Sequence, residues 1–213
     1  MPGDNHKGTQ TMNPLNSVKG AITTGVVLAV VVSLLLTLLG GGEIGLHHAL
    51  LGRWLHILAG VMWIGLLYYF NVVQTPGLAA AAADQGGPGG AGITKYIAPR
   101  ALFWFRWAAV VTWVTGAYYL LFGYGSTMTI HKAFGLHEGF RTIGVGAWLG
   151  TIMLLNVWVF IWPNQKKILG IVAASDAEKA AARKTAGLAS RINFVLSVPM
   201  LLCMGGQAHG LPF

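Results

Sequence analysis

The chain has 213 residues, of which 54% are hydrophobic and only 9% are charged, whereas soluble domains carry about 25% charged residues. This composition excludes an ordinary soluble protein and predicts an all-α, integral membrane helical bundle whose first partner is the lipid bilayer. The net charge of +8 does not indicate nucleic-acid binding, because the basic residues flank apolar runs, where they set membrane orientation. With Cys203 as its single cysteine, the chain has neither an internal disulfide nor a C-x-x-C-H site for covalent haem.

Five apolar runs predict about five transmembrane helices behind a polar tail of residues 1–19. Each run is close to the length of about 20 residues that a helix needs to cross a bilayer. The first is read as a retained span, with a cleaved signal peptide as the alternative. Residues 20–213 are therefore predicted to form a single transmembrane domain. The runs are about Gly20 to Leu39, Arg53 to Gln74, Ala101 to Tyr124, Thr142 to Trp162 and Ile192 to Gln207.

The connections between these runs carry further signals. The Ala- and Gly-rich residues 78–92 are typical of a flexible linker. Ser175 and Glu178 form a capping-box pattern, which predicts a short helix on the membrane surface before the last span. Gly146 and Gly150 have the small-x-x-x-small spacing that lets a second helix approach closely, within the chain or in an oligomer.

The distribution of Lys and Arg predicts the orientation, because these residues are retained on the cytoplasmic side during insertion. The side opposite the amino terminus holds only Arg53, Lys132 and Arg141. We therefore expect a cytoplasmic amino terminus and a carboxyl terminus outside. The basic residues on the amino-terminal side are Lys7, Lys19, Lys95, Arg100, Lys166, Lys167, Lys179, Arg183, Lys184 and Arg191.

Of the seven histidines, this topology places all except His6 near the outer face. Imidazole binds haem iron, copper and zinc, so the pattern predicts a ligand-rich site at the outer leaflet. Single histidines in polar loops need no partner, and this interpretation is favoured for His47, His48 and His131. The six outer histidines are His47, His48, His56, His131, His137 and His209.

His56 shares one helix face with Gly60 and Trp63. The gap that Gly60 leaves one turn deeper admits either a flat macrocycle or a neighbouring helix. His209 follows Gly205 by four residues and repeats this geometry, so that a haem b between two helices is sterically plausible. His56 and His209 are the predicted ligands.

The next candidates at this site are His137 as a ligand, and Arg53 and Arg141 as partners of the haem propionates. Three sulfur-containing side chains in the last predicted span could instead bind Cu(I), although such clusters in apolar helices usually serve packing. They belong to Met200, Cys203 and Met204.

Intramembrane polar residues need partners. We expect Asn71, Asn156 and Asn193 to hydrogen-bond between helices, and Arg106 to extend toward the cytoplasmic surface.

Four blocks, in this order, resemble the membrane domain of the bacterial cytochrome c-linked urate hydroxylase family. They are RWLHILAGVMWIG, TWVTGAYYLL, GTIMLLNVWVFIWPNQKKIL and LSVPMLLCM. The first block is also similar, more distantly, to haem-binding membrane protoporphyrinogen oxidases and copper-resistance membrane proteins. The resemblance implies a multi-pass protein of the bacterial inner membrane with a periplasmic carboxyl terminus and a role in purine breakdown.

In this family urate is hydroxylated and electrons pass to a c-type cytochrome outside the membrane, and His56 and His209 match family histidines. Because the chain has no C-x-x-C-H, we expect a separate electron acceptor. Two alternatives to a haem-b redox protein stay open. One is a non-catalytic membrane subunit of a larger respiratory or oxygenase complex, and the other is copper handling.

Overall fold

The computed structural model describes residues 13–212, which contain helices and no strand. His6 and most of the predicted tail lie outside the described residues. A 3₁₀ turn at Pro14–Asn16 comes first, and π-helical segments join some of the α-helices. The α-helices are α1 Val18–Leu39, α2 His48–Tyr68, α3 Thr75–Ala83, α4 Ala98–Phe122, α5 Thr129–Phe134, α6 Arg141–Asn156, α7 Trp162–Ile168 and α8 Asp176–His209.

The chain divides into two compact units, residues 1–46 and residues 47–213. The described part of the first unit is dominated by α1, an uncharged helix except for Lys19, with a mean hydropathy of 2.6. Its start is fixed by Ser17, whose side chain accepts a hydrogen bond of 3.0 Å from the backbone N–H of Gly20. A serine N-cap satisfies one of the unpaired N–H groups of a first turn. The single domain predicted for residues 20–213 stays a prediction.

The second unit is a bundle in which α2 packs against α4 and α6 packs against α8. Contacts at the two ends of the first pair show that it is antiparallel. Phe70 contacts Phe105 with ring centroids 5.5 Å apart, whereas Gly52, near the start of α2, lies against the ring of Tyr118. In the second pair, a hydrogen bond between Ile143 near the start of α6 and Gln207 near the end of α8 shows the same arrangement. Residues from the starts of α2 and α6 and from the ends of α4 and α8 line one cavity, so these four helix ends lie at the same end of the bundle.

The predicted all-α helical bundle is confirmed, and each of the five predicted spans falls on a helix. Four helical stretches are long and apolar enough to cross a membrane: Val18–Leu39, His48–Ala83, Arg141–Ile168 and Asp176–His209. The third predicted span, α4, has 25 residues but is not among the four. Its length is sufficient, but its arginines and its many Trp and Tyr side chains lower its mean hydropathy.

The separate surface helix predicted around Ser175 is not present. The capping box exists, with Ser175 N–H donating to Glu178 Oε2 at 2.8 Å, but the helix that it starts continues for 34 residues to His209. No strong helix breaker separates the predicted surface helix from the last span. Pro199 lies inside α8 without ending it.

The predicted flexible linker is partly helical, because α3 extends to Ala83. Its consecutive alanines have the highest helix propensity of any residue. The helix ends where Asp84 and the glycines begin, and there the connection has no regular structure up to residue 90.

Interhelical hydrogen bonds hold the middle of the bundle, as predicted for the asparagines. Asn193 is fully buried and donates to the carbonyl oxygen of Met153 at 3.0 Å. Its own Oδ1 accepts a hydrogen bond of 2.7 Å from Asn156, and Asn71 donates to Ser190 at 2.9 Å. These amides connect α8 to α6 and to the segment that follows α2, and they leave few buried polar groups unpaired.

Arg106 does have a partner at membrane depth. Its guanidinium carbon lies 3.8 Å from the ring centroid of Trp162 and 5.3 Å from that of Phe103. A guanidinium over an aromatic face gains a cation–π interaction. Aromatic stacking therefore supplies the contacts of this residue, which the sequence predicted only to extend toward the surface.

Candidate functional site

The histidines of the second unit gather at one end of the bundle, as predicted. His48 begins α2 and forms a hydrogen bond of 2.9 Å with the hydroxyl of Tyr118, near the end of α4. His209 ends α8. The α6–α8 pair is tied at this end by Gln207, whose Oε1 accepts from Ile143 N–H at 3.0 Å. Which side of a membrane this end faces stays a prediction.

A cavity of about 680 Å³ opens at this end between α2, α4, α6 and α8. Its volume falls within the range of about 300–1,000 Å³ usual for ligand sites. Four of the residues singled out from sequence line it, namely Arg53, His56, Trp63 and His209. Most of the remaining lining is apolar or small. These others include Thr112, Trp113, Gly116, Tyr119, Tyr124, Ala147, Gly150, Met204, Gly205 and Gln207.

His56 is held in one tautomer by the backbone of α4. Its Nδ1 lies 2.7 Å from the carbonyl oxygen of Thr112. Because a carbonyl only accepts, Nδ1 carries the hydrogen, and Nε2 of the neutral ring keeps its lone pair. Metal-binding histidines almost always donate their other ring N–H in this way. The hydrogen bond therefore fixes the orientation of the ring and leaves Nε2 unprotonated.

Gly116 makes the seating of His56 possible. A Cβ added at this glycine would lie 2.8 Å from both Cε1 and Nδ1 of the imidazole, which is closer than real Cβ contacts. The ring thus rests against bare backbone of α4, where it reaches the carbonyl of Thr112 one turn earlier. Any side chain at residue 116 would push the imidazole away.

The second imidazole comes from another helix. His209 is exposed and is the last residue of α8. Glycines beside the cavity leave its walls open: a Cβ added at Gly205 or at Gly150 meets no heavy atom within 4 Å. These two glycines therefore leave the space beside their backbone unfilled.

The mouth of the cavity carries a cation and two phenols. The guanidinium carbon of Arg53 lies 5.6 Å from the ring centroid of Tyr119, which is 5.5 Å from the ring of Tyr124. Tyr124 lies beyond the end of α4, and its partial burial, together with the nearby Tyr119, raises the pKa of its phenol above the ordinary value, while Arg53 opposes this shift. Like any tyrosine at neutral pH, Tyr124 carries its proton and can donate a hydrogen bond.

Three residues predicted for the site do not line the cavity. Gly60 faces α4, and its added Cβ would lie in ordinary contact, 3.7 Å from Thr112 Cγ2. The gap at Gly60 is thus closed by a neighbouring helix, which was one of the two possibilities. His137 lies in the connection before α6, with its ring beside Gly135. Arg141 is the exposed first residue of α6.

The sulfur-containing residues serve mainly to pack α8. Met200 belongs to the buried core, and Cys203 Cβ lies 3.1 Å from the point where Gly146 would carry a Cβ. This close approach is what the small-x-x-x-small spacing predicted for Gly146. Across residues 13–212, no three His, Cys, Asp or Glu side chains are grouped so as to hold a metal ion.

Sequence reasoning missed the whole contribution of α4, namely Thr112, Gly116 and Tyr119. Thr112 acts through its backbone carbonyl, which no sequence pattern reveals. The glycine and the tyrosine have a signal only once α4 is known to pack against α2, because the helix pairing decides which residues face His56.

Comparison with known proteins supports one resemblance. The model of the family described as "Urate oxidase N-terminal" matches residues 126–212, which include α5 to α8 and His209. No curated protein and no solved structure matches the chain. The resemblance of this region to the urate oxidase N-terminal family is thus confirmed, whereas the more distant resemblances have no support.

Proposed function

We propose that this chain, whose residues 126–212 match the urate oxidase N-terminal family, is a membrane redox protein that holds haem b between His56 and His209. The observation that carries the proposal is that both imidazoles, from α2 and α8, line one cavity of about 680 Å³. Haem iron needs only one or two axial ligands from the protein, and no larger ligand cluster is required.

The donor set fits such a group. Nε2 of His56 is free to bind because Nδ1 donates to Thr112. Arg53 at the mouth supplies positive charge for carboxylate side chains, and the open faces of Gly150 and Gly205 leave room for a flat ring. When bound, a haem supplies one-electron transfer.

The residues of the chain itself have three tasks in this proposal. His56 and His209 would hold the group, and Arg53 would pair with its carboxylates. The apolar walls, which include Trp63 and Trp113, exclude water from the ring. Low polarity around the group strengthens each charge interaction inside.

The proposed setting is the bacterial inner membrane, with the histidine end of the bundle on the periplasmic side. Four helices of sufficient length and hydropathy support membrane insertion. The family match supports a role related to urate hydroxylation. A separate c-type cytochrome or a respiratory complex on the periplasmic side would accept the electrons.

A visible spectrum of the purified protein tests the proposal. After haem-sufficient expression we expect a reducible Soret band, which His56→Ala and His209→Ala each weaken strongly. His48→Ala is the matched control, because His48 lies at the same end but bonds Tyr118 and does not line the large cavity. A wild-type protein without a haem band would overturn the proposal.

That negative result would favour a non-catalytic subunit if stoichiometric membrane proteins co-purify with the chain. Copper handling is the third possibility. It predicts copper in the purified protein that falls in His56→Ala, and unchanged copper content in this variant would exclude it.

A further inference from the structure

Three side chains that the sequence analysis did not connect lie together at the mouth of the cavity, namely Arg53, Tyr119 and Tyr124. Arg53 lies over Tyr119 at 5.6 Å, Tyr119 contacts Tyr124 at 5.5 Å, and Tyr124 contacts Phe140 at 5.9 Å between ring centroids. These contacts restrict the rings, so that two phenols from different segments stay beside one guanidinium.

All three side chains line the same cavity, whose described lining contains no Asp or Glu. The mouth thus combines one permanent positive charge with two O–H groups that can donate. Such a set matches a carboxylate, which accepts several hydrogen bonds at once and pairs well with a guanidinium.

We propose that Arg53, Tyr119 and Tyr124 form a carboxylate clamp, in which the guanidinium neutralises a carboxylate of the bound planar ligand and both phenols donate hydrogen bonds to it. The clamp rests on the proposed function, since it assigns the anionic edge of the ligand to the mouth of the same cavity. It replaces the predicted pair of Arg53 and Arg141, because Arg141 does not line the cavity.

Tyr118 provides a matched control within the same helix. It is adjacent to Tyr119 in sequence, but it points to a different side of α4, where its hydroxyl forms a hydrogen bond of 2.9 Å with Nδ1 of His48. It does not line the large cavity. Tyr118→Phe removes a tyrosine hydroxyl from α4, as Tyr119→Phe does, but leaves the three side chains of the clamp unchanged.

Affinities of the purified full-length protein for haem and for haem dimethyl ester test the clamp. The ester keeps the ring and the iron but has no carboxylate charge. We expect the wild type to bind haem about tenfold more tightly than the ester, or better, since charge-assisted hydrogen bonds are the strong ones. Tyr119→Phe and Tyr124→Phe should each reduce this ratio. The triple variant, which combines both substitutions with Arg53→Gln, should bring it close to one. Tyr118→Phe should leave it unchanged.

The ratio within one variant is the readout, so that a general loss of stability does not imitate the effect. Equal affinities of the wild type for the two ligands would overturn the clamp and leave haem binding intact. A ratio that persists in the Tyr119→Phe, Tyr124→Phe double variant would likewise overturn it. If the wild type binds neither ligand, the proposed function itself fails.

Discussion

The Nδ1 atom of His56 on α2 donates a hydrogen bond of 2.7 Å to the backbone carbonyl oxygen of Thr112 on α4. In a continuous helix that carbonyl also serves the N–H four residues later, which belongs to Gly116. The same glycine clears the space that the imidazole ring occupies. One turn of α4 thus fixes the tautomer and the position of the proposed ligand.

Gly116→Ala should displace His56 from this position. The added methyl group would lie 2.8 Å from the imidazole, so the ring must rotate and lose its bond to Thr112. We expect weaker haem binding and an altered low-spin electron paramagnetic resonance signal. Gly65→Ala is the control, because a Cβ there meets no atom within 4 Å, and identical spectra for both variants would contradict the role of Gly116.

A bulky residue at Gly150 should block the cavity. Gly150 lines the wall and faces open space, so Gly150→Leu fills volume that the ring needs. Overpacking typically costs about 1–3 kcal/mol, which corresponds to about a 5- to 150-fold loss of haem affinity. Gly187→Leu, on α8 outside the lining and also facing open space, should bind haem normally. Unchanged affinity in Gly150→Leu would show that haem does not occupy this cavity.

Asn193→Ala should destabilise the bundle without acting on the cavity directly. The fully buried amide joins α8 to Met153 and Asn156 on α6, and hydrogen bonds between membrane helices contribute about 0.6–2 kcal/mol. A loss of 1 kcal/mol lowers the unfolding midpoint of a protein of this size by about 2–4 °C. Thermal unfolding in detergent measures this, with Asn164→Ala as the control because its bond to Phe160 is within one turn. Equal midpoints for the two variants would refute the connection.

The phenol of Tyr124 should ionise at a higher pH than an ordinary tyrosine. Partial burial and the neighbouring Tyr119 raise its pKa, and Arg53 lowers it. The difference in ultraviolet absorbance between the wild type and Tyr124→Phe, recorded through an alkaline titration, isolates this group. Arg53→Gln removes the opposing charge and should shift the transition to still higher pH. An unchanged transition in Arg53→Gln would mean that Arg53 does not act on this phenol.

The parts of this structure that sequence predicted are those set by local pattern. Apolar runs of sufficient length located the helices, and the order of the runs placed His56 and His209 at one end of the bundle. The contributions of α4 depend on which helix faces His56, and this is decided by packing between segments distant in sequence. Gly60 is an example, since its position in the sequence allowed either a flat macrocycle or a neighbouring helix beside it. Only the packing of α4 shows that Thr112 lies there.

The boundaries of the last helix were also not predictable from patterns of charge. The polar residues between Ser175 and Arg191 suggested a separate element, although each is compatible with a helix interior. Continuity was therefore the simpler outcome, and the capping box marks the start of a much longer helix than expected.

The unbroken helix α8 is longer than a membrane crossing requires. With 34 residues and a rise of about 1.5 Å each it is about 51 Å long, whereas the apolar core of a bilayer is about 30 Å thick. Its charged first turns, which include Asp176, Glu178 and Lys179, and His209 therefore lie on opposite sides of any membrane that it crosses. If α8 is straight, a tilt of its charged end also moves His209. Pro199 lacks a backbone N–H, so a bend in the helix is expected there first. Distances between spin labels at residues 180 and 208 would show whether α8 stays straight across Pro199.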